Sequence, residues 1–119
     1  MKYNKILKIN TKQKYNVYST SNINKIKKGL MDIEDIPDDW GILFCYDTSQ
    51  YWGIWMKNTL IPLDIIWIDK YKTIVDKKTL LPKTENINYP KYKSKYVLEV
   101  KPGNFKGKIG DSISLEDSL

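Results

Sequence analysis

The sequence predicts a small, mostly β domain with one short helix near its beginning. Its 119 residues are 41% hydrophobic and include 4 Trp and 9 Tyr, enough apolar area for one core in a single domain, residues 1–119. Five stretches are rich in β-branched and aromatic residues and are separated by Asp, Ser, Pro and Asn. They are residues 42–46, 51–56, 64–68, 73–81 and 96–100. Short strands at this spacing are typical of an antiparallel sandwich or barrel.

The first forty residues contain two shorter β-prone stretches, residues 6–9 and 15–18, followed by the predicted helix. Ser21 is the expected N-cap, because its hydroxyl can accept from the first free N–H groups of a helix. Apolar residues then recur near a helical spacing at Ile23, Ile26 and Leu30. We expect a helix of two to three turns within residues 21–31.

The remaining segments are predicted to be loops and one last element. Residues 32–39 hold five acids around Pro37, which indicates a solvated loop, since the spacing does not fit an EF-hand calcium site. Residues 86–92 are a second predicted loop, and the last element ends at residues 112–115.

Cysteine content and the lack of export and membrane segments predict a cytoplasmic protein. Cys45 is the one cysteine and lies in an apolar run, so a buried thiol in a reducing compartment is expected. The beginning of the chain has no signal-peptide core, and no apolar run is long enough to span a bilayer. The net charge of +6 comes with 20 basic residues that are all Lys, a bias that an A/T-rich genome produces through its codons. The absence of Arg makes nucleic acid an unfavoured partner.

Several kinds of chemistry are excluded by composition. The chain has no histidine, which removes His-based catalytic triads and His-based zinc sites. A single cysteine cannot build a Cys-rich zinc or iron–sulfur site. The sequence therefore predicts no metal site and no cofactor.

The most unusual segment is residues 55–64, WMKNTLIPLD, where one predicted strand ends in polar residues and another begins after Pro62. Together with four further short segments, which follow one another in the order that the family shows, it resembles the family called domain of unknown function 192. Those segments are GLM at 29–31, GILF at 41–44, VLE at 97–99 and GD at 110–111.

The resemblance covers roughly residues 15–115 and implies a compact, mostly β fold of jelly-roll or barrel type with one early helix. It implies no established activity. Two departures from the family are Lys28, where Arg is usual before Gly29, and the export signal that many members carry and this chain lacks.

The residues of this segment suggest a polar pocket. Lys57 would supply charge, Asn58 and Thr59 would supply hydrogen bonds, and Asp64 would orient Lys57. Trp52 or Trp55 would stack on a sugar or a base, although the four Trp residues are interpreted mainly as core. The structural alternative is that Asn58 and Asp64 satisfy backbone groups in a turn while Lys57 pairs with Asp64.

Three functions follow from these residues. The first is a binding or accessory module for a small polar ligand, a carbohydrate or a small anion, with candidate ligand-binding residues Trp55, Lys57, Asn58, Thr59, Asp64 and Glu99. The second is an enzyme that uses Lys57 with Asp64 or Glu99 as acid and base, which requires a desolvated Lys57. Alternatively, Glu99 would be half-buried and paired with Lys57 or Lys28. The third is binding of nucleic acid by the Lys- and Tyr-rich residues 89–96.

Overall fold

The computed structural model of the chain describes residues 1–10 and 12–118. In these residues there are seven strands and one helix. In chain order they are β1 (Lys5–Ile9), β2 (Gln13–Thr20), α1 (Ile23–Lys28), β3 (Trp40–Gln50), β4 (Leu63–Ile68), β5 (Ile74–Leu80), β6 (Ser94–Val100) and β7 (Ile113–Asp117). The mostly β class and the early helix are therefore confirmed.

All seven strands belong to one sheet, in the order β5-β4-β6-β3-β2-β1-β7. Every neighbouring pair is antiparallel except β2 and β3, which run parallel. The sheet is thus mixed, whereas the sequence predicted an antiparallel one. Parallel strands need a crossover connection, and residues 21–39, which contain α1, supply it. The strand order gives no support to a jelly-roll connection pattern.

The sheet curls until its two edges nearly meet. An isolated bridge joins Thr73 to Ser112, and Ile74 and Ile113 donate backbone N–H groups across the same gap, to Asp111 and Lys72 at 2.9 Å each. The bridge does not extend into a ladder, so the sheet is curled but not closed into a barrel.

Two apolar cores lie on opposite faces of the central strands β3, β4 and β6. The first fills the inside of the curled sheet and the second lies on the outer face. In β3, Leu43 points into the first core, while its neighbours Ile42 and Phe44 point into the second, as strand alternation requires. The three central strands are consequently buried on both faces. The second core is covered only by loops and α1, and the candidate site lies there.

One predicted strand is wrong. Residues 51–56 form a loop with a single bridge, in which Ile54 and Asn88 exchange backbone hydrogen bonds of 2.9 and 2.8 Å. Ile54 and Met56 are buried in the second core, so their burial accounts for the apolar pattern without a ladder of hydrogen bonds. Gly53 permits the close approach, since a Cβ there would lie 2.4 Å from the Ile87 side chain.

The helix differs from the prediction in its cap and length. Asn22, not Ser21, is the N-cap, and its side-chain oxygen accepts from the backbone N–H groups of Asn24 and Lys25 at 3.0 and 3.1 Å. The helix has 6 residues and ends at Gly29, which has φ of 50°. Within residues 1–10 and 12–118, no helix has the length and apolar character that a membrane span requires.

A substitution at Gly41 would test how closely β3 and β6 pack. A Cβ at this position would lie 2.8 Å from Val100 Cγ1 and 2.9 Å from the Glu99 backbone oxygen, so the strands would have to move apart. We expect Gly41→Ala to lower the free energy of unfolding by about 1–3 kcal/mol, the usual effect of overpacking. Urea denaturation measures this change.

The control is Ser114→Ala, at an exposed position of β7, which should change stability by less than about 0.5 kcal/mol. A Gly41→Ala protein as stable as this control would show that the two strands leave room for a methyl group.

Candidate functional site

The candidate site is a cleft between α1 and the outer face of the sheet. None of the helix residues is buried, so α1 covers the second core without packing tightly on it. Gly29 closes the helix by donating its N–H to the Lys25 carbonyl at 2.9 Å, and the chain then turns toward Leu30, which is buried in the second core. A cleft of about 410 Å³ remains below the helix.

The walls of the cleft are mainly apolar, and its polar groups are few. The apolar side chains are Ile23, Ile26, Leu30, Met31, Phe44, Ile54 and Trp55. The polar side chains are Lys27, Lys28, Tyr46, Thr59 and Glu99. A concave apolar site with a few polar groups is the usual composition of a small-molecule site.

Glu99 is the unusual residue of this cleft. It is the second-last residue of β6, opposite Ile42 of β3 and Ile65 of β4, and only 4% of it is exposed. Its carboxyl group points to the apolar second core, close to Gly29, where a built Cβ would lie 3.7 Å from Glu99 Oε1. No described residue forms an ion pair with it. The expected pairing with Lys57 or Lys28 is not present.

Burial without a partner changes the protonation of this carboxyl group. Desolvation raises the pKa of Glu99 from its ordinary value of 4.5 to about 8, because the charged form loses its hydration and gains no compensating charge. At neutral pH the group is therefore mostly a neutral acid, which carries one O–H donor. An O–H donor without an acceptor in an apolar cleft is available to a ligand.

Two hydroxyl groups lie near the same cleft. Tyr46 is half-buried and stacks on Trp52, with ring centres 4.0 Å apart. Burial, with a smaller effect of the Glu99 charge, raises the pKa of the Tyr46 hydroxyl. Thr59 is buried, and its hydroxyl donates only a long bond of 3.4 Å to the Lys57 carbonyl. Neither group forms an ion pair or a close bond to Glu99.

The structure divides the six predicted site residues among three places. Trp55, Thr59 and Glu99 line the cleft below α1. Lys57 and Asn58 lie in a separate polar depression with Asp32, Lys83 and Glu85. Asp64 is in a third place, between the side chains of Lys77, Lys78 and Thr79.

The proposed contact between Lys57 and Asp64 is absent. Asp64 Oδ1 accepts from the Thr79 hydroxyl at 2.6 Å, and Lys57 Nζ lies 5.2 Å from the centre of the Trp55 ring. Asn58 has φ of 54°, and its carbonyl accepts from the Asp32 N–H at 2.9 Å, which is a turn-forming role. For Asn58, this geometry favours the structural alternative.

The enzyme hypothesis required a desolvated Lys57, and Lys57 is exposed. It also required a neighbouring carboxylate, and neither Asp64 nor Glu99 forms an ion pair with Lys57. Both observations count against acid–base chemistry at this residue. In residues 1–10 and 12–118, no group of three or more His, Cys, Asp or Glu side chains is placed to hold a metal ion.

Sequence reasoning overlooked Tyr46 and the residues of α1 as parts of the site. Tyr46 could have been found, because it shares strand parity with Ile42 and Phe44 and so faces the same side of β3. The position of Ile26 and Gly29 above Glu99 could not, since it depends on the path of the crossover between the parallel strands.

Residues 5–115 match the family called domain of unknown function 192, described as an uncharacterized ACR. The chain belongs to this family. The match covers nearly the whole chain and includes both the WMKNTLIPLD segment and Glu99. None of the curated proteins matches the chain in sequence.

Two solved structures are similar to this chain over most of its length. A protein of unknown function from Novosphingobium aromaticivorans DSM 12444 has a TM-score of 0.85 and 22% identity, over 92% of this chain and 83% of that one. A protein from Sinorhizobium meliloti 1021, described as "a putative transcription regulator", has a TM-score of 0.86 and 27% identity, over 98% and 96%. The first shows the fold alone, and the second covers nearly the whole of both chains.

The raised pKa of Glu99 predicts how stability depends on pH. The folded state holds the Glu99 proton up to about pH 8, whereas the unfolded chain releases it near the ordinary value of 4.5. The stability that this protonated group contributes to the folded state is therefore fully present below pH 4.5 and is lost as the pH rises toward 8. As the pH rises from 4.5 to 8, we expect the free energy of unfolding of the wild type to fall relative to that of Glu99→Gln, by on the order of a few kcal/mol.

Urea denaturation of both proteins at several pH values between 4.5 and 8.5 measures the effect. The chain has no histidine, so few other side chains change charge in this interval. Parallel stability curves for the two proteins would mean that Glu99 has its ordinary acidity in the folded state.

Proposed function

We propose that this domain is a binding or accessory module for a small ligand, and that its binding site is the cleft between α1 and the sheet. The observation that carries the proposal is the carboxyl group of Glu99, which faces a mainly apolar cleft and has no ion pair with a described residue. A buried polar group without a partner destabilises a fold by about 1–3 kcal/mol. A ligand that hydrogen-bonds to Glu99 would offset this cost, whereas an apolar side chain would avoid it altogether.

The size and shape of the cleft support the same proposal. Its volume of about 410 Å³ lies in the range of small-molecule sites, roughly 300–1,000 Å³. Trp55 is 42% exposed at the edge of the cleft and offers a flat apolar surface. Such a surface suits a sugar ring or the apolar part of an organic anion, whereas the sequence predicted a carbohydrate or a small anion.

We also propose a cytoplasmic location. Cys45 is free and half-buried, and burial raises the pKa of its thiol, which keeps the sulfur in its less reactive protonated form. A domain that relies on its core instead of disulfides is suited to a reducing compartment.

The test is a thermal-shift screen of sugars, nucleotides and small organic anions against the wild type and two variants. Glu99→Leu removes the carboxyl group and retains side-chain volume, and Lys57→Ala/Asp64→Ala alters the WMKNTLIPLD segment outside the cleft. We expect a ligand to raise the melting temperature of the wild type and of Lys57→Ala/Asp64→Ala by several degrees, and to leave Glu99→Leu unchanged. A ligand at about 100 times its Kd stabilises the native state by about 2.7 kcal/mol.

The two variants discriminate between sites. A ligand effect that survives in Glu99→Leu and disappears in Lys57→Ala/Asp64→Ala would place the site at the segment and contradict the cleft. The absence of any stabilising ligand in a broad screen would argue against a binding function.

A second candidate function is binding of single-stranded nucleic acid. The similar Sinorhizobium meliloti protein is described as "a putative transcription regulator", and Tyr89 and Tyr92 are 55% and 62% exposed here beside exposed Lys91 and Lys93. Exposed aromatic rings that alternate with cations can stack on bases and contact phosphates. The lack of Arg makes this candidate the weaker one.

Fluorescence anisotropy with a labelled single-stranded 20-mer tests this surface. If it binds, the affinity should fall at least tenfold between about 50 and 200 mM salt, because bound counterions are released. Tyr89→Ala/Tyr92→Ala should weaken binding, while Tyr71→Ala, which removes a tyrosine that is 76% exposed in the turn between β4 and β5, should not. An affinity that does not change with salt would remove this candidate.

A further inference from the structure

The cleft below α1 has two ends of different chemistry. The carboxyl group of Glu99 is at the closed end, since only 4% of this residue is exposed. Lys27 and Lys28 line the same cleft but are exposed, which places them at its mouth. The other side chains that line the cleft are mainly apolar and include Ile26, Phe44 and Ile54.

The closed end offers a hydrogen-bond donor. No described cation pairs with Glu99, and its cross-strand neighbours Ile42 and Ile65 are apolar. Burial holds the carboxyl group in its neutral form near pH 7. The group that would complement it best is an uncharged acceptor such as a carbonyl oxygen, which requires no buried charge.

The mouth offers positive charge. Lys27 and Lys28 lie in the last turn of α1, and neither forms an ion pair with a described residue. The helix has no acidic residue in its first turn to offset this charge. The potential at the mouth therefore attracts anions and repels cations, and the net charge of +6 acts in the same direction.

Resting on the proposed function, we infer that the cleft binds an elongated organic anion, with its carboxylate beside Lys27 and Lys28, its apolar body along the cleft walls, and a carbonyl-type acceptor at Glu99. A cationic ligand would have to pass the lysines and would require an ionised, buried Glu99. A sugar would place several hydroxyl groups against apolar walls, where they would lose hydrogen bonds to water.

Three matched probes of one size separate these features. 4-Acetylbenzoate carries the anion and the acceptor, 4-isopropylbenzoate carries only the anion, and 4-acetylbenzylamine carries the acceptor with a cation. Saturation-transfer NMR at pH 7 and titration calorimetry compare their affinities for the full chain. We expect 4-acetylbenzoate to bind about 3- to 10-fold more tightly than 4-isopropylbenzoate, the usual effect of one hydrogen bond. 4-Acetylbenzylamine should bind the least tightly of the three.

Variants test which residues contact the acceptor and the carboxylate of the probes at the two ends of the cleft. Glu99→Gln retains an N–H donor and should still prefer the acetyl probe, whereas Glu99→Leu should bind the two benzoates equally. Lys27→Gln/Lys28→Gln should weaken both benzoates about 3- to 10-fold. Lys106→Gln/Lys108→Gln, which removes two exposed charges from a distant loop, is the matched control and should change neither.

The outcomes distinguish this inference from the proposed function. Tightest binding of 4-acetylbenzylamine, lost in Glu99→Gln, would mean that Glu99 acts as a carboxylate for cations, and would overturn the ligand class while leaving the cleft as the site. If all three probes fail to bind but a sugar stabilises the wild type and not Glu99→Leu, the ligand class is likewise overturned while the cleft remains the site. Failure of the probes and of the whole screen would overturn both.

Discussion

The structure depends on the burial of β3, β4 and β6 on both faces. These three strands contribute alternate side chains to two apolar cores, one inside the curled sheet and one below α1 and the loops. Such strands tolerate few polar side chains, because neither face is open to water. The close approach of Gly41 to β6 belongs to the same arrangement, since the central strands leave no room between them for even one methyl group. The edge strands β5 and β7 also contribute to the cores, through Ile74, Leu80 and Ile113, but mainly from one face.

Glu99 stands out because of this constraint. A buried carboxyl group on a central strand weakens the fold, and no ion pair with a described residue compensates for it. The cleft above it exists because α1 buries none of its own residues and so leaves space over the sheet. The incomplete cover and the unpaired acid are thus two parts of one arrangement, and each would be a defect in a purely structural domain.

Patterns within single strands predicted much of the fold, but they could not predict contacts between segments that are distant in sequence. The β-branched and aromatic residues of 64–68 and 96–100 indicated β4 and β6 almost to their ends, because both faces of these strands are buried in the cores. Residues 51–56 have the same composition, but their apolar side chains reach the second core from a loop, so the pattern predicted burial correctly and strand pairing wrongly. The parallel pairing of β2 with β3 depends on a crossover, which leaves no periodic signal in either strand.

The candidate site shows the same limit. Lys57 and Asn58 were expected to act together with Asp64, which is close to them in sequence. Lys57 and Asn58 share one depression, yet Asp64 lies in β4 and faces another. Glu99 could be selected from its apolar neighbours in sequence, but its lack of a cation is a property of the assembled sheet. A polar segment at the end of a strand therefore predicts a turn more reliably than it predicts a binding site.

The pairing of β1 with β7 has a consequence for how the chain folds. Lys5 lies opposite Asp117 in this ladder, so the strand that completes the sheet is the last one to be synthesised. Until then the outer edge of β1 presents unpaired backbone groups, which are a template for pairing with other chains. Contacts that join positions so distant in sequence also slow folding, because a long loop must close before they form. The nascent domain thus spends the longest part of its synthesis with one open edge, and the lysines of β1, Lys5 and Lys8, are the kind of residue that keeps such an edge from aggregating.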